Sequence, residues 1–316
     1  MVERALLIVM GLGTAGWAEA RAAFVPGHIY VLDSPAEPCA LQPPGYPNDR
    51  IWEVDPATGA FSLFAEIPDG LCGVTTGLAF TPDGTALRTA SFWNSTILEI
   101  NGDGNTSIAL GPQNGIAGPG GQNGIAYNAT GDFFVFNIFD VLKFPAAGGP
   151  PVIVGPEIWG PGPLAVGPGG DVYIGDPGVG SASSTILRLT PDGALTTFDA
   201  DHGALSLTTA SNGDLFALSG TSLFQYVGGD PLSRGLVASL GPVASSSSIA
   251  LSLDEETVFW ASAGHLFSVD IATGSVVELV DLPGFSAGAG IAVAVPEPAL
   301  LIPSMAVLVR FVRRRR

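Results

Sequence analysis

Positive charge is scarce in this chain. Its 316 residues include 12 Lys and Arg against 29 Asp and Glu, and most of the cations cluster at the two ends. Between Ala23 and Val309 there are 27 acidic and 5 basic residues, a net charge of −22. Affinity for phosphate backbones comes mainly from Lys and Arg, so a surface of this sign excludes nucleic acid as a partner. The acidity itself suits solubility outside the cell. Histidine is rarer still, with 3 residues, and neither HExxH nor CxxC occurs, which removes zinc-protease and thiol-redox arrangements. The serine run Ser245 to Ser248 reads as loop composition, and nucleophilic catalysis is not expected.

Long amphipathic helices are also missing. Beyond Asp33 no convincing helical pattern of ten or more residues appears, and this decides how the N-terminus is read. Gly11-Leu-Gly13-Thr-Ala-Gly16 follows the apolar run ALLIVM, and Asp33 ends HIYVLD 22 residues beyond Gly11. That is the spacing of a dinucleotide-binding turn and its ribose carboxylate. Such a fold needs further strand-helix-strand units, and the chain supplies none. Arg4, the apolar stretch from Ala5 to about Ala18 and the small-x-small Ala20-Arg21-Ala22 instead predict a signal peptide over 1–22, a helix removed after Ala22.

The other end carries Val295-Pro296-Glu297-Pro298, an apolar segment from Ala299 to Val312, and Arg313, Arg314, Arg315 and Arg316. As a helix those apolar residues would extend about 21 Å at 1.5 Å per residue, short of the roughly 30 Å hydrocarbon core. Pro303 would kink it. A weak span followed by arginines suits a transient membrane anchor with its basic end kept inside. This order of elements over 296–316 resembles the PEP-CTERM sorting signal of Gram-negative bacteria that make extracellular polysaccharide. The resemblance implies processing near Pro296-Glu297-Pro298 by an exosortase, a membrane-bound thiol transpeptidase. It further implies delivery to the cell envelope or extracellular polysaccharide. In an oxidising compartment the two cysteines, Cys39 and Cys72, are expected to form a disulfide. Chain entropy alone would make it worth roughly 3 to 4 kcal/mol.

Residues 23–295 carry an internal repeat. The segments GLAFTPDGTAL, GIAYNATGDFF, PLAVGPGGDVY, SLTTASNGDLF and SIALSLDEETVF overlay, and GIAVAV adds a partial copy. Their second residues, Leu78, Ile125, Leu164, Leu207, Ile249 and Ile291, are spaced by 47, 39, 43, 42 and 42. Each copy reads as a short strand, a turn such as PDG or NGD, then three more strands. Gly, Asn and Asp at the turns permit the positive φ of tight hairpins. Four strands per roughly 42 residues is the blade of a β-propeller. HIYVLD, RIWEVD and AFSLFAEI supply only strands two to four of the first blade, so GIAVAV near the C-terminus is its missing inner strand. The fold class expected is all-β: six four-stranded blades closed by both chain ends, flanked by an N-terminal signal helix and a short C-terminal hydrophobic helix. The glycine-rich insert GPQNGIAGPGGQNG leaves five or seven blades open. FTPDG, GPGGDVYIG and SNGDLFAL resemble the repeats of NHL-type and gluconolactonase-like propellers.

In a propeller, the loops between strands two and three and between blades gather at one end of the ring. Here they contain Asn94, Asn114, Gln122, Asn123, Asn137, Asp140, Glu157, Asp176, Asp201 and His202. Oxygen ligands of this kind suit calcium or magnesium. The gluconolactonase resemblance implies carboxylate and asparagine groups converging on one divalent metal, for which Asn123, Glu157 and Asp201 are the candidates. Only His202, in DADHG, stands in such a loop beside carboxylates. Trp93, Trp159 and Phe285 are candidates for stacking on sugars. The leading expectation is a non-enzymatic binding or structural module whose partners are the exosortase and extracellular polysaccharide. The alternative is a divalent-metal-dependent lactonase or lyase.

Overall fold

The computed structural model describes residues 24–34, 48–68, 71, 75–91, 94–116, 122–137, 139–158, 162–176, 185–241, 247–282 and 288–296. Blade one contains β1 (Ile29–Asp33), β2 (Arg50–Val54) and β3 (Phe61–Glu66). Blade two is β4 (Thr75–Phe80), β5 (Ala86–Ser91), β6 (Thr96–Asn101) and β7 (Thr106–Leu110). Blade three is β8 (Gln122–Tyr127), β9 (Phe133–Asn137), β10 (Asp140–Phe144) and β11 (Val152–Val154). Blade four is β12 (Leu164–Val166), β13 (Val172–Asp176), β14 (Thr185–Leu189) and β15 (Leu195–Asp199). Blade five is β16 (Ser206–Thr209), β17 (Leu215–Ser219), β18 (Ser222–Tyr226) and β19 (Arg234–Ser239). Blade six is β20 (Ser248–Leu251), β21 (Thr257–Ser262), β22 (His265–Asp270) and β23 (Val276–Asp281). The last strand, β24 (Gly288–Val293), pairs antiparallel with β1 and completes blade one in the order β24-β1-β2-β3. All six sheets are four-stranded. The ring therefore has the six blades expected, and the insert before β8 adds none.

Burial explains why the strands differ in composition. Second strands such as IYVLD, FFVFN and LFALS are apolar almost throughout because both of their faces pack against neighbouring blades. Outer strands expose most of their residues, as in β3 and β19. The core is accordingly divided into six apolar clusters, one at each blade junction. The ladder between third and fourth strands shifts register at matching points in blades one, two, four, five and six. Such bulges increase the local twist, which turns the outer strands away from the inner ones.

The inner strands pack closely where the repeat reads Gly-Leu or Gly-Ile. A Cβ on Gly290 would lie 2.9 Å from the carbonyl carbon of Gly77 and 2.9 Å from the Leu78 nitrogen. A Cβ on Gly124 would meet Leu164 at 2.9 Å. Backbone-to-backbone approach of this kind is available only to glycine.

Closure has a specific geometry. In four of the five intact turns between first and second strands a glycine N–H bonds the carbonyl three residues back, as in Gly84 to Thr81 and Gly213 to Ala210, and in blade six Glu255 N–H does the same to Ser252. In blade one the same bond runs from Gly27 N–H to the Ala294 carbonyl (2.9 Å), and Ala294 N–H returns to the His28 carbonyl (2.9 Å). Gly27 also has the positive φ, +83°, of the other turn glycines. The two ends of the described chain thus form one turn with its middle cut. Phe24 holds the N-terminal side in place, buried edge-on against Tyr30 and Phe80.

Candidate functional site

At one end of the ring every second strand stops on a polar residue: Asp33, Ser91, Asn137, Asp176, Ser219 and Ser262. Each stands opposite the first residue of its third strand. Asp33, Ser91, Asn137 and Ser262 are buried. These residues begin where the apolar junctions end, and together with the starts of the inner strands they form a polar collar. Hydrogen bonds stitch it across blades. Ser34 Oγ and Thr75 Oγ1 donate to the two oxygens of the fully buried Asp49 carboxylate at 3.0 and 2.9 Å. Thr75 N–H in turn donates to Ser34 Oγ. Asn94 Nδ2 donates to the Leu71 carbonyl and to Ser91 Oγ. Ser247 Oγ donates to Ser262 Oγ at 2.7 Å, and Ile249 N–H donates to Ser206 Oγ.

The collar holds several of the residues singled out from the sequence. Asn94 and Asn137 are fixed in it as partly buried and buried groups. Asp33, considered above as a ribose carboxylate, ends β1 here and pairs with Gly288 of β24. Asn123 belongs to β8 at the same end, with its side chain outside the described residues. Glu157 is exposed on the connection from blade three to blade four. Asp201, also exposed, is on the next connection, its N–H bonded to Asp199 Oδ1 at 2.8 Å. Among the described residues no group of three or more His, Cys, Asp or Glu side chains gathers as metal ligands would. Val295 and Pro296 lie within the description. Residues 1–22, Cys39, Cys72, Trp93, Trp159, Phe285, Glu297, Pro298 and Arg313 to Arg316 lie outside it. Among the described residues no helix is long and apolar enough to cross a membrane.

His202 does sit beside a carboxylate, but packed on the outer strands of blade five. Its ring meets Phe224 edge-on at 5.1 Å, and its Nδ1 accepts from Arg234. Arg234 also donates to Asp199 Oδ2 (2.6 Å), as does the Tyr226 hydroxyl (2.8 Å). Burial would raise the Asp199 carboxyl. The Asp201 N–H, the Tyr226 hydroxyl and the Arg234 guanidinium outweigh that and hold it below the usual carboxylate range. Burial, then the bond to Asp199, pushes the Tyr226 phenol well above its ordinary value. Asp199 has both oxygens occupied by hydrogen bonds, and the arrangement is a latch between blades four and five. Sequence reading found His202 and Asp201 but missed Asp199, Tyr226 and Arg234. They are 27 and 35 positions apart from Asp199, and no local pattern connects them.

The other two histidines have acidic partners, His28 on Glu53 at 2.9 Å and His265 on Glu278 at 2.8 Å. Among the described residues no histidine hydrogen-bonds a hydroxyl group. One sequence feature was overlooked: Gly284-Phe285-Ser286-Ala287-Gly288 fits GxSxG. A nucleophile elbow of that pattern opens a helix, whereas here Gly288 begins the strand β24. The collar's hydroxyl, amide and carboxylate groups are largely buried and bonded to one another across the blades.

No family model matches the chain, and no curated protein matches it in sequence. Solved structures do match its shape. A nidogen/laminin complex aligns with TM-score 0.65 at 14% identity, covering 86% of this chain and 100% of that one. A proposed gluconolactonase aligns at 0.57 and 16%, covering 84% and 91%. Virginiamycin B lyase from Staphylococcus aureus aligns at 0.51 and 12%, covering 80% and 84%. Likeness at such identities concerns architecture only, and on that level the chain is a six-bladed β-propeller.

Proposed function

We propose that the chain is an exported propeller, sorted by an exosortase-type system to the cell envelope or extracellular polysaccharide, where it acts as a binding or structural module. Val295, Pro296, Glu297 and Pro298 would be the processing motif, and the apolar segment with Arg313 to Arg316 the transient anchor. One observation supports the reading: Ala294 bonds across the ring closure, and Val295, the first residue of the proposed motif, follows it. The test is expression of the full chain in an exosortase-bearing host, beside a variant with Pro296, Glu297 and Pro298 changed to alanine. Processing of the parent alone, with metal-independent retention on purified matrix polysaccharide, is the expected result. Equal processing of both would remove the sorting half. A stoichiometric calcium or magnesium ion, lost together with lactonase or lyase activity in E157A or D201A, would replace the module by an enzyme.

A further inference from the structure

Three tripeptides in the chain have the form Asn-x-Ser/Thr: Asn94-Ser95-Thr96, Asn105-Thr106-Ser107 and Asn128-Ala129-Thr130. The pattern marks acceptors of N-linked glycans in exported proteins. Transfer needs more than the pattern, because the asparagine amide and the hydroxyl two residues on must both be open to a transferase. The fold separates the three on that criterion.

Asn94 donates its amide to the Leu71 carbonyl (3.0 Å) and to Ser91 Oγ (3.2 Å), and Thr96 beside it is buried. Asn128 is spent on its own turn. Its Nδ2 donates to Asp132, and its Oδ1 accepts from the Thr130 N–H, the Thr130 hydroxyl and the Asp132 N–H. Asn105 differs. It ends the turn between β6 and β7, where its backbone N–H bonds Asn101 Oδ1 (3.0 Å) and its carbonyl accepts from Asn101 N–H (3.1 Å). The backbone is thereby fixed while the side chain is exposed, and among the described residues its amide has no hydrogen-bond partner. Ser107 is exposed as well.

We infer that Asn105 is the acceptor for an N-linked oligosaccharide. The donor class is a lipid-pyrophosphate-linked oligosaccharide. The amide nitrogen of Asn105 attacks C1 of the first sugar, a C–N bond forms, and the C1–O bond to pyrophosphate breaks. The pyrophosphate leaves on its lipid, and the amide proton passes to a base of the transferase. A glycan there would lie over β7, an outer edge strand that exposes Ile108, and would shield an edge otherwise open to pairing with another chain. In the cell this modification rests on the export half of the proposed function. The chemistry itself does not depend on export.

The decisive experiment therefore has two arms. Purified full-length chain is incubated with an N-oligosaccharyltransferase and a lipid-pyrophosphate-linked oligosaccharide, and peptides are mapped by mass. A gain of one oligosaccharide mass on the peptide bearing Asn105 is expected. It should be abolished in N105Q and S107A and unchanged in N94Q and N128Q. Absence of transfer to Asn105, or equal transfer to Asn94 or Asn128, would overturn the inference. In the second arm, protein from a producing cell with such a transferase is fractionated and mapped. Failure to leave the cytoplasm would count against the export reading alone. An exported protein with bare Asn105 would count against the modification in that cell.

Discussion

The close approach of inner strands at Gly290 gives a quantitative test of how the ring closes. In Gly290→Ala, the new methyl would sit 2.9 Å from two backbone atoms of the neighbouring strand and 3.0 Å from the Leu78 Cβ. None of these is the end of a flexible side chain, so β24 and β4 must move apart. Overpacking costs typically about 1 to 3 kcal/mol, and contact with a rigid peptide unit belongs near the upper end. Against this, replacing glycine by alanine reduces unfolded-chain entropy and returns about 0.4 to 1 kcal/mol. The expected net loss is about 2 kcal/mol. In a domain of this size that lowers Tm by about 4 to 8 °C.

The matched control is Gly169→Ala, where nothing lies within 4 Å of the added Cβ and φ is not in the left-handed region. It should change stability by less than about 0.5 kcal/mol. Urea unfolding of both variants, followed by tryptophan fluorescence, separates midpoint from slope. Gly124→Ala, facing Leu164 at 2.9 Å, should behave like Gly290→Ala. Should the Gly290 and Gly169 variants unfold together, close strand approach is not what the glycine of each repeat supplies.

Asp199→Asn leaves the partly exposed Arg234 without its anion. It should cost about 2 kcal/mol, discounted from the 3 to 5 of a fully buried pair. Because the folded-state carboxyl is held low, the wild-type advantage is complete above the ordinary carboxyl range near pH 4 and shrinks as pH falls through the lower folded value. A gap in urea midpoint that is the same at pH 7 and pH 2 would refute this. The buried tyrosines should titrate late. Burial pushes Tyr127 up to about 12 and also raises Tyr30, Tyr173 and Tyr226. Phenolate absorbance from these four should stay flat through about pH 10, and stability should then fall as the unfolded chain ionises first. Finally, a circular permutant that joins Pro296 to Phe24 by a short Gly-Ser linker, so that the buried Phe24 is kept, and opens the turn Ser252–Glu255 should fold, with a circular dichroism spectrum and Tm near the parent. Failure to fold would mean that the cut turn is not equivalent to the others.

The blade pattern was legible because each repeat satisfies local and global demands together. The inner strands were found through Leu78, Ile125, Leu164, Leu207, Ile249 and Ile291, all of which fall in first strands. Turn glycines divide them from second strands whose unbroken apolar runs reflect burial on both faces. Even the shared blade was readable, since HIYVLD had no preceding strand and GIAVAV no following one. Collar residues were less visible. Ser91 and Ser262 look like ordinary strand ends until the register shows that they occupy the same position in blades two and six. Nothing in a single copy of the repeat distinguishes a collar serine from an exposed one.

The latch at blade four marks where sequence reading stops for a physical reason. A repeat fixes what lies within a blade, because those contacts recur at constant separation. Arg234 begins an outer strand and Asp199 ends the one before it, 35 positions earlier, and their meeting depends on how far the bulged outer strands twist. That twist is set by packing between blades and leaves no periodic trace. The same limit applies to ligand sites on propellers, which draw side chains from several blades at once. Three candidate ligands, Asn123, Glu157 and Asp201, stand at one end of the ring, Asn123 within β8 and the other two on connections between blades. Whether three such groups converge is decided by loop conformation, on which the repeat imposes no constraint.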